Sequence, residues 1–70
     1  MDKYEIILYW SGEDNVFVAE VPELPGCAAH GKTREAALKN SAAAIQLWVK
    51  TAQEFGRHVP EPKGRRLMLA

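Results

Sequence analysis

Seventy residues carry nine Lys plus Arg against nine Asp plus Glu, with 47% apolar types. This composition describes one small soluble domain over residues 1–70. Ten of the apolar residues are alanine, so few large side chains remain for a core, and a chain this short is expected to be marginal alone or completed by a partner. No run approaches the roughly 20 apolar residues that span a bilayer, Met1-Asp2-Lys3 opens no secretory signal, and the single cysteine, Cys27, excludes a stapled secreted scaffold; no membrane contact and a reducing cytoplasm are expected.

Residues 4–10 alternate Tyr4, Ile6, Leu8 and Trp10 with Glu5, Ile7 and Tyr9, which predicts a strand apolar on both faces. Ser11-Gly12-Glu13-Asp14-Asn15 is turn chemistry, and residues 16–21 form a second β-favouring run, so the two pair as an antiparallel hairpin. Pro22, Pro25 and Gly26 then make a bend that ends the ladder, and residues 27–30 form a short third strand before Gly31. From Thr33, an N-cap candidate with Glu35 in the first turn, the period becomes 3.6. Ala36 stands where a capping box would place Glu or Gln. Leu38, Ala42, Ile45, Trp48, Val49, Ala52 and Phe55 define the expected core face, with Ala37, Ser41 and Ala44 at its margin. Gly56 is the natural stop of a helix of about 23 residues. Residues 65–70 follow as a possible fourth strand. The expected architecture is α+β: a three-stranded antiparallel sheet, one long helix and a short fourth strand, in the order β-β-β-α-β.

One helix covers one face of a sheet, yet the first strand is apolar on both. A second chain is the simplest cover, which predicts a homodimer or tetramer.

The zero net charge is split. Residues 1–30 hold six acids and one base, and residues 31–70 hold three acids and eight bases. Mutual neutralisation within the fold is the plainer reading; an oriented partner or nucleic acid is the other. Lys39, Lys50 and Arg57 fall within about 20° of one another at 100° per residue, and with Arg65 and Arg66 they are the candidate contacts for phosphates, although no aromatic side chains accompany them for base stacking. A solvated helix face accounts for them as well.

Chemistry is poorly supplied. Two-metal hydrolysis needs converging carboxylates; Glu5 and Glu35 are placed at a strand and a helix start, and residues 65–70 contain no acid. Cys27 and His30 have a C-x-x-H spacing that could form half a zinc site, and His58 makes only a third ligand where four are wanted. Cys27 reads better as a small buried hydrophobe. No catalytic residue, metal or cofactor is expected. Surface remains: Glu5, Ile7, Tyr9 and Glu20 on the first two strands, Leu47 in a small apolar strip with Ala36 and Ala43 on the helix, and Leu67 and Leu69 on the last strand are the candidate interface. The Pro22–Pro25 bend has a sufficient structural reason in its prolines and glycine, and Trp10 and Trp48 are assigned to the core or to a dimer contact.

The string Val21-Pro22-Glu23-Leu24-Pro25-Gly26-Cys27, followed by Gly31-x-Thr33, Ala37-Leu38, Asn40 and Pro60-x-Pro62, resembles the HicB antitoxin family over nearly the whole chain. The resemblance implies a partial ribonuclease-H-like fold and a non-enzymatic protein that binds a HicA-like toxin, an mRNA-cleaving enzyme, and masks its active surface. Many relatives also carry a C-terminal helix-turn-helix or ribbon-helix-helix segment that binds their operator; the sequence ends at Ala70, so no such segment is expected within it. The competing expectations are a nucleic-acid-binding module that uses the basic second half, and a HicB-like dimer without a toxin.

Overall fold

A computed structural model describes residues 3–62. Strand β1 (Ile7–Ser11), strand β2 (Val16–Glu20), strand β3 (Ala28–Gly31) and helix α1 (Arg34–Glu54) follow in chain order. The sheet is antiparallel throughout, in the order β1-β2-β3. The class is α+β with one long helix, as the residue periodicities require. The fourth strand expected over residues 65–70, with Leu67 and Leu69, lies outside the described residues.

The β1–β2 hairpin turns through four residues, with Asn15 in the left-handed region at φ 55°, a conformation that Asn tolerates better than most side chains. Register pairs Ile7 with Glu20, Leu8 with Ala19, Tyr9 with Val18 and Trp10 with Phe17. The ladder begins at Ile7, later than the alternation from Tyr4 suggests, because its next partners are engaged elsewhere. The Val21 amide donates to the Cys27 carbonyl at 3.0 Å, Pro22 has no amide proton, and the Glu5 amide donates instead to Glu23 Oε1 at 2.9 Å.

The bend between β2 and β3 consists of two consecutive tight turns. Leu24 N donates to Val21 O at 3.0 Å and Cys27 N donates to Leu24 O at 2.9 Å. Each turn has proline at its second position, and Gly26, at φ 79°, occupies the third position of the second turn, where a type II geometry needs a positive φ. Leu24, shared by both turns, is driven inward and is fully buried.

Thr33 caps α1: its backbone is extended and its side-chain oxygen accepts from Ala36 N at 3.0 Å, so one unpaired helix donor is satisfied without the missing capping box. The other end closes as a Schellman motif, with Gly56 N on Gln53 O, Arg57 N on Ala52 O, and Gly56 at φ 67°. The helix is 21 residues, about 31 Å long, and lies chiefly over β3 and β2 with little contact to β1.

The core is Val21, Leu24, Cys27 and Ile45, with Tyr4, Ile6, Ala44, Trp48 and Val49 packed around it. The helix face that points inward is rotated from the expected arc. Ala37, Ser41, Ile45 and Ala52 are buried, whereas Ala42 is exposed, Leu38 is 43% exposed and Phe55 is 72% exposed. The cause is a close approach at the start of the helix, where Gly31 lies against Ala36 and Ala37. Only small side chains fit there, so alanine and serine occupy the positions nearest the sheet.

Candidate functional site

Side chains of paired strand residues share a face, and register therefore divides the sheet. Toward the helix lie Leu8, Ala19 and Ala29 in one row and Trp10, Phe17 and Gly31 in the next. Away from it lie Ile7, Glu20 and Ala28, then Tyr9, Val18 and His30, then Ser11 and Val16. Among the described residues, nothing covers this outer face: Ile7 is 43% exposed and Tyr9 42%. Val16, Val18 and Ala28 floor a shallow depression there, edged by Asp14 and His30. The Tyr9 hydroxyl donates to Glu20 Oε2 at 3.0 Å. That hydrogen bond, then desolvation and the charge of the carboxylate, raises the Tyr9 pKa above the ordinary phenol value.

The expected interface residues are therefore divided. Ile7, Tyr9 and Glu20 share the outer sheet face. Glu5 lies ahead of β1, tied through its amide to Glu23. Leu47 is on the helix, 65% exposed, and lines a different concavity with Pro25, Cys27, Trp48, Arg57 and Pro60. Periodicity alone did not suggest this groove. It forms because Trp48 Nε1 donates to Pro25 O at 2.9 Å, holding the bend against the helix, while the Tyr4 hydroxyl donates to Pro60 O and draws the chain exit back across the fold.

The basic stripe is shortened. Lys39 and Lys50 are exposed on α1, but Arg57 follows the Schellman turn and belongs to the groove; Arg65 and Arg66 lie outside the described residues. Arg34, in the first helical turn, stacks its guanidinium 4.8 Å from the Phe17 ring centre, and Trp10, 50% exposed, meets Phe17 edge to face at 4.9 Å. Trp10 is thus a partly open rim residue, not a core one. Cys27 is buried in the core while His30 is on the outer face, so the two do not converge on one site. Among the described residues, no group of three or more His, Cys, Asp and Glu is placed to hold a metal ion, and no helix is long and apolar enough to cross a membrane.

The arrangement offers two surfaces, an apolar sheet face and a groove beside Trp48, and acidic groups at both ends of the hairpin: Glu13 and Asp14 at the turn, Glu5, Glu20 and Glu23 at the other end. Comparison with known proteins gives these surfaces a family context. A family model described as the HicB-like antitoxin of bacterial toxin–antitoxin systems matches residues 4–67. A UPF0150 protein of Thermoplasma acidophilum is 32% identical over 65 residues, 93% of each chain. A UPF0150 protein of Synechocystis is 40% identical over 57 residues, 81% of this chain and 77% of that protein. No solved structure matches the chain. The family match spans both turns of the proline bend, the helix cap and the whole of α1, and the chain belongs to the HicB-like antitoxin family.

Proposed function

We propose that this protein is the antitoxin of a toxin–antitoxin pair and acts in the cytoplasm by binding and sterically masking a HicA-type mRNA-cleaving toxin, as a homodimer or tetramer and without chemistry of its own. The observation that carries this reading is the family match over residues 4–67. The geometry supports it: exposed surface and exposed acids are what the described residues present. A toxin that grips RNA has a basic surface, and the hairpin tip, with Glu13 and Asp14 both exposed, gives such a surface a complementary field that accelerates encounter.

The test is co-expression and co-purification with a HicA-type toxin, preferably one encoded beside this chain, followed by an RNA-cleavage assay with increasing antitoxin. Stoichiometric loss of cleavage supports masking. Cleavage that continues with all antitoxin in excess refutes it, and a salt-dependent gel shift of RNA or DNA by the antitoxin alone would favour the nucleic-acid reading. Reversing Glu13 and Asp14 to Lys should slow association at low salt and have little effect at high salt, because these charges sit in solvent and are screened.

A further inference from the structure

We propose that the groove beside Trp48 binds a small organic acid, its apolar body against the indole and its carboxylate on Arg57 and His58. The site goes beyond the antitoxin reading and does not depend on it.

The groove has a volume of about 610 Å³. That is the size of a small-molecule site, which is typically an apolar cleft with a few polar groups that fix orientation. Pro25, Leu47, Trp48 and Pro60 supply apolar wall, and Arg57 and His58, just past the helix, supply the polar groups. None of the lining residues is acidic, so the field of the guanidinium is not cancelled within the cleft. Leu47, 65% exposed, is apolar surface that an occupant would cover.

The walls are held before anything binds. Trp48 Nε1 donates to Pro25 O at 2.9 Å, the Arg57 amide donates to Ala52 O at 2.8 Å, and the Tyr4 hydroxyl donates to the Pro60 carbonyl. The short segment that carries Arg57 and His58 is thus tied at both ends, and a backbone ordered in advance lowers the cost of binding.

Charge selects the occupant. A guanidinium and an imidazole N–H beside apolar walls suit a single carboxylate, which the guanidinium grips through paired donors. A basic protein surface is repelled by Arg57. A nucleic-acid strand needs a run of cations for its phosphates, and the lining offers one arginine. A nucleotide would set a polar ribose against Leu47 and Pro60. An acid with a body of one or two rings matches both the apolar wall and the lone charge.

Naphthoate is the probe, titrated into the full chain to about 10 mM while the two indole N–H signals are followed by NMR. A ligand of this size binds with a dissociation constant on the order of 1 mM. The Trp48 signal should move and saturate, and that of Trp10, which lies on the sheet at the Phe17 ring, should stay; Trp10→Phe assigns the pair. Arg57→Gln should weaken the probe about 5-fold, as for a solvent-edged ion pair, and Leu47→Asp by at least as much through repulsion. Lys50→Gln, in a separate concavity with Tyr4 and Val49, should change nothing. All three positions are exposed, so these variants keep the fold. Naphthalenemethanol, the same body without charge, should bind at least about 5-fold more weakly, and acetate should leave Trp48 unmoved. A Trp48 signal that does not move overturns the proposal, as does equal binding by Arg57→Gln or by the neutral alcohol. Tighter binding of adenosine monophosphate than of naphthoate overturns it in favour of a nucleotide site. A Trp48 signal that shifts when the ligand-free chain is diluted from about 500 to 20 µM overturns it in favour of a second copy of the chain.

Discussion

Replacing Gly31 with alanine puts one methyl group into the tightest contact between sheet and helix. A Cβ built there lies 2.6 Å from Ala37 N, 2.7 Å from Ala36 C and 2.7 Å from Ala36 Cβ, and two of these three atoms are backbone that cannot rotate aside. Relief to an ordinary contact of about 3.4 Å needs the helix start to move by about 0.8 Å. It is poorly placed to do so. Only Lys32 and Thr33 separate β3 from α1, Thr33 is the cap, and Asn40 Nδ2 holds the His30 carbonyl at 2.7 Å. Overpacking typically costs about 1–3 kcal/mol, and rigid neighbours on both sides of the chain place this case near 3 kcal/mol. The usual gain of about 0.4–1 kcal/mol from a stiffer unfolded chain is too small to reverse the sign. Domains carry roughly 0.05–0.15 kcal/mol per residue, so a loss of this size removes much of the stability of a 70-residue chain. Urea unfolding followed by circular dichroism is the assay. With a slope near 1 kcal/mol/M the midpoint should fall by about 2–3 M. Adding Ala36→Gly should recover a part only, since it removes one of the three offending atoms. A midpoint within about 0.5 M of the parent, at unchanged slope, would show that the helix does not approach the sheet here as described.

Thr33→Ala should cost about 1 kcal/mol by freeing the Ala36 amide, and Thr33→Ser should restore most of it, both read from the same urea curves. Gly26→Ala meets no atom within 4 Å, yet it must hold φ near 79°, so a destabilisation of about 1 kcal/mol is expected from backbone strain alone; an unchanged midpoint would mean that the second turn is not type II. Trp48→Phe removes the donor to Pro25 O and should loosen the bend, seen as faster amide exchange at Cys27, whose amide closes the second turn. The Tyr9 phenol is held protonated beyond its ordinary range by Glu20. Because the folded pKa is the higher one, whatever this bond adds to stability is present below pH 10 and disappears as pH rises through the folded value. Glu20→Gln should therefore bring an absorbance titration of Tyr9, followed in a Tyr4→Phe background, to lower pH; an unmoved midpoint would contradict the bond.

The elements were legible because each has a local cause. The 2-residue alternation of residues 4–10, the turn at Gly12–Asn15, the two prolines and Gly26, and the Thr33 and Gly56 punctuation locate three strands and a helix without any tertiary information. What the pattern missed was the reach of the cover. Helical periodicity reports which direction is apolar, but strands of four or five residues extend about 17 Å at most while α1 runs about 31 Å. Leu38 and Phe55 share a side with Ile45 in projection, yet Leu38 is half-open and Phe55, the C-cap residue, is past the last helical turn. Hydrophobicity also undervalued Ala37, whose merit is smallness beside Gly31, a property that depends on two elements at once. Ser41 is fully buried, its hydroxyl returned to Leu38 O at 2.7 Å. The groove beside Trp48 was hidden for the same reason, since it joins residues 25, 48 and 60 through hydrogen bonds that no spacing rule anticipates.

The residues that carry the family likeness are largely consumed by architecture. In Val21-Pro22-Glu23-Leu24-Pro25-Gly26-Cys27, Val21, Leu24 and Cys27 fill the core, the prolines and glycine set two turns, Glu23 takes the Glu5 amide, and the Pro25 carbonyl takes Trp48. Thr33 caps the helix and Asn40 ties it to β3. Side chains already engaged in this way have little left to offer a partner. On the antitoxin function proposed above, discrimination between one toxin and another falls to groups that the fold does not use: the hairpin tip and the rim of the groove around Leu47. Substituting Leu47→Asp in the groove and Glu13→Lys with Asp14→Lys at the tip should change partner affinity while leaving the urea midpoint within about 0.5 M of the parent, as expected for exposed positions. If instead these substitutions unfold the domain while leaving toxin affinity intact, fold and recognition are carried by the same residues, and the division drawn between scaffold and surface does not hold.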